Sequence, residues 1–563
     1  MFKKITFFYF LFFVTIHCLA QSTYLQSKSD YYPQIDRLDV LSGVVSDSLI
    51  TSLNGMNRKD VVHFLENYLN ENIETLNDIE KKEIEKIISI NGEWHSSGDG
   101  AADSDYSLWN TFFDKKPDFL HYKSDKVYFV LNPVLNYQQS LESGNLKQNL
   151  FYNSKGIEAR GLIGNRIGFY TTFTDNQERG PIHYQNYIIN NNAVPGNTYY
   201  KPFKTQKNGF AQDYLYAAGY IDVAVVKNTI NASFGTDKFQ IGDGYRSLFL
   251  SDFGANYTFL KLNTRFGRFN YQNLFMELTP QYFRGADRLL PRKYATMHHL
   301  SINVARWLNL GLFESIIYGR KDHFDIRYMN PIILYRSVEQ TNGSPDNALL
   351  GFNFKANTGI GAVLYGQLLF DEFSFSKLKA NTGWWANKYG VQLGIKMADM
   401  FGIKNLLVQA EFNMVKPFTY SFRDSVADYT NYNLPLAHPY GANFVEADLI
   451  INYIPFKHTF ITWKTFFNRQ GRDTLSNVSF GGNIFKTYNN RNAEEGIRMF
   501  NGYASNVFYT NLNLSYEIKN NFYFDLGAVY RNEKANNTYN PTFSSIQAYI
   551  GMRLNSLRKQ YDY

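Results

Sequence analysis

The sequence predicts an all-β fold, a transmembrane antiparallel β-barrel of about 18 strands, with a small α-helical domain on its N-terminal, periplasmic side. Three observations lead there. The chain opens with the charged, apolar and small-residue layout of a secretory signal peptide. From about residue 126 onward, apolar and polar side chains alternate with a period of two. Aromatic residues make up 17% of the 563 residues, with 43 Tyr and 48 Phe against 6 Trp, yet the mean hydropathy stays negative. Many aromatics without long apolar runs suit strands that carry interfacial girdles and turn every second residue to water.

Lys3 and Lys4 precede the mostly apolar run from Ile5 to Ile16, and Ala20 offers a small residue before Gln21. That run is shorter than the about 20 residues of a membrane helix, so residues 1–20 are expected to direct export and be cleaved off. Cys18 is the only cysteine, and Ile16 and His17 before it do not suit a lipoprotein signal. The mature chain therefore excludes disulfides, thiolate metal sites and cysteine nucleophiles.

Residues 21–125 read as a helical domain at the periplasmic mouth. Asn57 can cap a helix beginning at Arg58, with Val61, Phe64, Leu65, Tyr68 and Leu69 at helical spacing. Residues 78–89 form a second, highly charged helix, and a polar stretch follows at 96–105.

Residues 126–555 are expected to form the barrel. In the last strand Ile546, Ala548, Ile550, Met552 and Leu554 alternate with Gln547, Tyr549, Gly551, Arg553 and Asn555. The same alternation runs through 522–531, where Asp525 and Arg531 fall on the second face, and through 508–518. Segments of about 10 residues suit tilted strands crossing a bilayer, and the polar face is expected to line a wet lumen. Tight hairpins are predicted at Gly164-Asn165, Asn228, Phe266-Gly267-Arg268 and Lys519-Asn520-Asn521. The long polar stretches 176–211, 319–330, 423–443 and 474–503 are the expected extracellular loops. Residues 556–563 are left as a C-terminal tail.

The net charge of +7, or +5 without Lys3 and Lys4, is too mild to imply nucleic acid. Polar residues on or near strands are the candidate functional groups: Glu158 with Arg160, Asp243, Arg246 and Asp252 around the GDGYRSLFLSD segment, Glu314, Arg336 with Glu339, and Glu411. Two readings stand for them. They form a network of ion pairs that plugs and stiffens the interior, or they form a sugar-binding surface in which charged groups meet hydroxyls while aromatic faces stack on rings. Loop tyrosines at 184, 187, 199 and 200, and Tyr429 and Tyr432 near His438, suit stacking or a membrane girdle. No carboxylate pair, nucleophile or calcium-loop spacing is specific enough to nominate an enzyme or a metal site, and the GDG at 242–244 is too short for a nucleotide loop. His298 and His299 are adjacent and so point to opposite faces of a strand. No cofactor is expected.

The segments 241–262, 330–355, 406–422 and 436–450 resemble the Wzi-type capsule-assembly outer-membrane proteins, and within them a Bacteroidetes branch that includes the gliding-motility protein RemB. The resemblance implies an outer-membrane barrel with a helical N-terminal piece, and makes Glu411, Lys416, Tyr420 and His438 characteristic positions. It implies a non-enzymatic surface role, either retaining capsular polysaccharide or supporting gliding and adhesion; a porin-like channel is the lesser alternative. The expected partners are outer-membrane lipid, the barrel-assembly machinery, surface polysaccharide and, in the gliding branch, surface-adhesin proteins.

Overall fold

A computed structural model describes residues 22–26, 28–101, 113 and 115–563, apart from positions 146, 165, 198, 205–209, 283–288, 322, 333, 475–476 and 536–541. The expected signal peptide and residues 102–105 of the polar stretch at 96–105 lie outside the described residues.

Eighteen antiparallel strands close into a barrel. In chain order they are β1 Val127–Glu142, β2 Leu150–Ile163, β3 Ile167–Arg179, β4 Phe210–Val226, β5 Ile230–Asp237, β6 Tyr257–Phe266 and β7 Phe269–Leu278. β8 Lys293–Ala305, β9 Leu308–Tyr318, β10 Asn347–Asn357, β11 Ala362–Glu372, β12 Lys388–Ala398 and β13 Leu406–Val415 follow. The last are β14 Phe444–Phe456, β15 Thr459–Arg472, β16 Tyr503–Lys519, β17 Phe522–Ala535 and β18 Phe543–Leu554. Each strand pairs with its chain neighbour, and β18 closes on β1 with Gln547 opposite Glu142 and Leu554 opposite Leu135.

The period-two pattern sorts side chains as anticipated. Along β18, Ile546 is 60% exposed while Arg553 is 1% exposed. The outward side is apolar and would meet hydrocarbon. Phe266, Trp307, Phe401 and Phe456 are exposed beside the short turns, where an interfacial girdle belongs. The predicted turns form: Gly164, Asn228, Gly267 and Asn521 all take positive φ, as tight connections between right-twisted strands require. No helix among the described residues is long and apolar enough to cross a membrane.

The lumen departs from expectation. Among the described residues its polar face is largely covered, because the chain folds back into the barrel at several places. The connection 238–256 between β5 and β6 and the connection 416–443 between β13 and β14 both turn inward. Leu248, Phe249, Leu250, Tyr420, Phe422, Tyr429 and Leu436 from these segments form a core with Phe259, Met297, Phe313, Leu349 and Leu369 on the wall. Phe249 stacks flat on Phe313 at 4.5 Å. The expected extracellular loop 423–443 is thus largely interior, and Tyr429 is fully buried.

At the short-turn end sit α1 (Tyr32–Leu41), α2 (Arg58–Asn72) and α3 (Asp78–Ile90). Asn57 caps α2 by accepting from the Lys59 and Asp60 backbone N–H groups at 3.1 and 3.3 Å. Asn77 and Glu80 make a reciprocal capping box on α3. The three helices pack through Ile35, Leu38, Val61, Leu65, Ile84 and Ile87. Salt bridges fasten them to the barrel: Arg37 to Asp399 at 2.8 Å, Lys396 to Asp36 at 2.6 Å and Lys86 to Glu517 at 2.5 Å. Residues 22–26 and 28–31 reach further into the lumen, where Lys28 pairs with Asp252 at 2.6 Å.

Candidate functional site

The candidate residues divide into three groups. One pins the inward connections. Glu411, on the inner face of β13, accepts from the Tyr245 and Arg246 backbone N–H groups at 2.8 and 3.1 Å, from the Tyr365 hydroxyl at 2.8 Å and from the Asn413 amide at 2.9 Å. Arg246 reaches Glu446 at 3.4 Å, and Glu446 meets His438 at 2.6 Å. His438 stacks on Phe444 at 4.3 Å; burial holds its pKa below the ordinary histidine value, against the pull of Glu446. Tyr420 donates to the Leu248 carbonyl at 2.7 Å, and Asp243 accepts from Thr51 at 2.5 Å. The GDG motif is explained here. Gly242 needs φ +126°, and a Cβ there would lie 2.1 Å from the Gln367 amide nitrogen. A Cβ on Gly244 would lie 2.6 Å from the Glu411 carboxylate.

A second group holds the N-terminal segments. Arg160 bridges to Glu93 at 3.2 Å and donates to the Ile90 carbonyl at 2.6 Å. Glu158 accepts from Tyr170 at 3.3 Å, and Asp252 takes Lys28. Lys416 belongs instead with the inward connection after β13, its backbone N–H donating to the Tyr389 carbonyl at 3.0 Å.

The third group corrects the sequence reading. Glu314, Arg336 and Glu339 are not lumenal. On β9 the inward residues include Phe313 and Ser315, so Glu314 points out of the barrel, and Arg336 and Glu339 sit on a segment that covers the outer wall. A period of two fixes which residues share a face, but Glu314 is a charge on the side that is otherwise apolar.

None of the twelve candidate residues lines the largest of the described cavities. That cavity, about 870 Å³, opens at the long-loop end above β15–β18. It is bounded by helix α4 (Ile182–Asn191), by Pro435 and Pro439–Gly441, and by Gly482–Lys486. Tyr187, Tyr440, Phe485, Tyr503, Phe543 and Tyr563 supply aromatic faces to it. Charged groups stand at the strand tops: Arg472 bridges Glu533 at 2.8 Å, Arg531 approaches Glu533 at 3.4 Å, and Lys486 meets Asp473 at 2.8 Å. Tyr187 was legible beforehand as a loop aromatic and Arg531 as a polar strand residue. Tyr563 was not, because nothing local says that residues 555–563 turn back up the lumen.

That tail supplies the floor of the vestibule. The Tyr563 carbonyl accepts from Arg531 at 2.8 Å, and the Tyr561 carbonyl accepts from His183 Nε2 on α4 at 2.9 Å. Burial, and then the nearby Arg531, push the His183 pKa down to about 3. The unfolded imidazole takes up its proton near pH 6.5, so this seat is at full strength above that value and weakens as pH falls through it toward about 3. Protease cleavage within 182–191 is expected to rise between pH 6 and 4, and a His183→Gln variant should show a flatter profile.

The lining is rings and hydrogen-bonding groups around an open cleft, an arrangement that can stack on sugar rings and bond their hydroxyls. No cluster of three or more His, Cys, Asp or Glu able to hold a metal ion occurs among the described residues.

No family model matches the chain, and no curated protein matches it in sequence. Solved structures do match in fold. One is Wzi of Escherichia coli, an outer-membrane protein involved in group 1 capsule assembly and described as a carbohydrate-binding β-barrel. The whole chain is similar to Wzi in fold. The TM-score is 0.56 at 13% identity, covering 94% of this chain and 99% of Wzi. OprD of Pseudomonas aeruginosa (TM-score 0.40, 11% identity, 76% and 95% covered) and OccAB2 of Acinetobacter baumannii (0.39, 10%, 75% and 97%) match less of this chain. The likeness to Wzi extends over nearly the whole chain, so it takes in more than a bare barrel.

Proposed function

We propose that this protein sits in the outer membrane with its long loops outermost and retains surface polysaccharide there without catalysis. The vestibule above β15–β18 carries the reading. It is the largest cavity described, it opens to the outside, and its lining pairs tyrosine faces with arginine, lysine and carboxylate groups. The similarity in fold to a carbohydrate-binding barrel supports it. A diffusion channel is disfavoured because the N-terminal segment, two inward connections and the tail occupy the lumen.

The test is binding of purified surface polysaccharide to the detergent-solubilised protein. Tyr187→Ala with Tyr440→Ala is expected to weaken binding by roughly 10-fold or more, since an aromatic stacking face contributes about 1 kcal/mol. Unchanged affinity in the double variant would reject the vestibule as the site. In cells, deleting the gene should release polysaccharide into the medium while surface spreading continues. Failed spreading with an intact coat would instead favour the gliding role.

A further inference from the structure

The described residues of the connection 319–346, between β9 and β10, leave the long-loop end and fold down over the outside of the barrel. Glu314, on the outer face of β9, accepts from the backbone N–H groups of Tyr335 and Arg336 at 2.9 and 3.0 Å. The outward Tyr271 hydroxyl and Asn273 amide of β7 both donate to the Pro331 carbonyl, at 2.6 and 3.0 Å. His298, on the outer face of β8, lies against the Tyr335 ring at 3.8 Å. Without this cover, Glu314, His298 and Asn273 would face hydrocarbon, where polar and charged groups are costly. With it, Glu314 is 5% exposed and Asn273 2%.

The face the segment presents to its surroundings is amphiphilic. Ile326, Ile332 and Leu334 are 76%, 85% and 58% exposed, and Met329 is 42% exposed. Among them stand two arginines with side chains 58% exposed. Each is held by a carboxylate that is itself buried: Arg327 by Asp325 at 2.7 Å, Arg336 by Glu339 at 2.9 Å. Asp325 engages Nε and Nη2 of Arg327, so Nη1 stays outside that pair. The two arginines sit on the two limbs of the segment, each next to a wall-facing tyrosine. Those tyrosines, Tyr328 and Tyr335, have ring centroids 5.9 Å apart.

With the long-loop end outermost, as proposed above, this segment runs from the outer rim down the wall, with Pro331 at its lowest described contact and Arg336 higher, against Glu314. The geometry points to a lipid site: residues 319–346 bind a phosphorylated glycolipid of the outer leaflet, its acyl chains on Ile326, Met329, Ile332 and Leu334 and its phosphates on Arg327 and Arg336. Positioned guanidinium forks are matched to phosphate oxygens, and basic residues beside a membrane-embedded apolar surface select anionic headgroups. An apolar protein partner would have to desolvate both guanidinium groups without supplying an acceptor, which is unfavourable.

The test uses the full chain, delipidated and reconstituted with synthetic bis-phosphorylated lipid A or with its dephosphorylated form, and counts retained lipid by native mass spectrometry. The wild type is expected to keep the phosphorylated form and lose the other. Arg327→Gln with Arg336→Gln should lower retention by roughly 10-fold or more, while polysaccharide binding at the vestibule stays unchanged. Equal retention of the two lipids by the wild type, undiminished retention by the double variant, or a protein dimer mass in place of bound lipid would overturn the proposal. The wild-type comparison stands even where a variant fails to fold. Lost polysaccharide binding with lipid retention intact would count against the vestibule alone.

Discussion

Replacing Glu411 by alanine is expected to lower the stability of the folded barrel by about 3–5 kcal/mol, the usual loss when one partner of a buried charged network is removed. The carboxylate terminates several hydrogen bonds at once, two of them from backbone N–H groups of the inward 238–256 connection. Alanine leaves those donors buried and unpaired, and an unpaired buried donor costs about 1–3 kcal/mol. It also frees Arg246, which loses the fixed backbone that aims it at Glu446. The readout is the temperature at which the compact, unboiled gel band converts to the unfolded one, together with protease cleavage within 238–256. Glu411→Gln keeps one acceptor oxygen but turns an amide toward N–H donors, so an intermediate loss is expected. A Glu411→Ala protein with unchanged conversion temperature and no new cleavage would show that the 238–256 connection is held by its apolar packing alone.

Removing residues 556–563 is expected to convert a closed barrel into a conducting one. Four cavities, of about 60, 140, 310 and 870 Å³, lie along the tail, the two smallest beside the N-terminal helices and the largest at the vestibule, and tail residues line every one of them. The tail is therefore their shared partition. It is held by Arg558 to Asp30 at 3.3 Å, by Lys559 to Glu178 at 2.7 Å, by Asp562 to Lys464 at 3.3 Å, and by Arg246 donating to the Asp562 carbonyl at 2.5 Å. Without it the cavities join into a continuous polar path inside a barrel wide enough to carry water. In planar bilayers the full chain should stay closed, while the truncated chain should give steady channels. A truncated barrel that folds and stays closed would place the seal in the 238–256 and 416–443 connections.

The strands, their outward faces, the hairpin turns and the Asn57 cap were all readable from residue order, because each depends on neighbours within a few positions. Alternation in 508–518, 522–531 and 546–554 separates an apolar side from a polar one whatever the rest of the chain does. The twelve polar candidates were harder. The interior-network reading describes Arg160, Asp243, Arg246, Asp252 and Glu411, which all hold folded-in segments, but their partners could not be named from order alone. Glu411 meets a residue 166 positions away, and Arg160 meets the end of a helix 70 positions before it. Glu314 misled because a charge on a strand is ordinarily lumenal, and its shelter on the outer wall comes from a different segment.

Local order by itself determined a period-two chain with tight turns, and through it a barrel with one side toward lipid. Only the tertiary structure decided what fills that barrel, which connections fold in, which one lies along the outside, and where a vestibule remains. The reason is physical: a strand's two faces are set by the backbone repeat, whereas a connection settles wherever distant partners satisfy its buried polar groups.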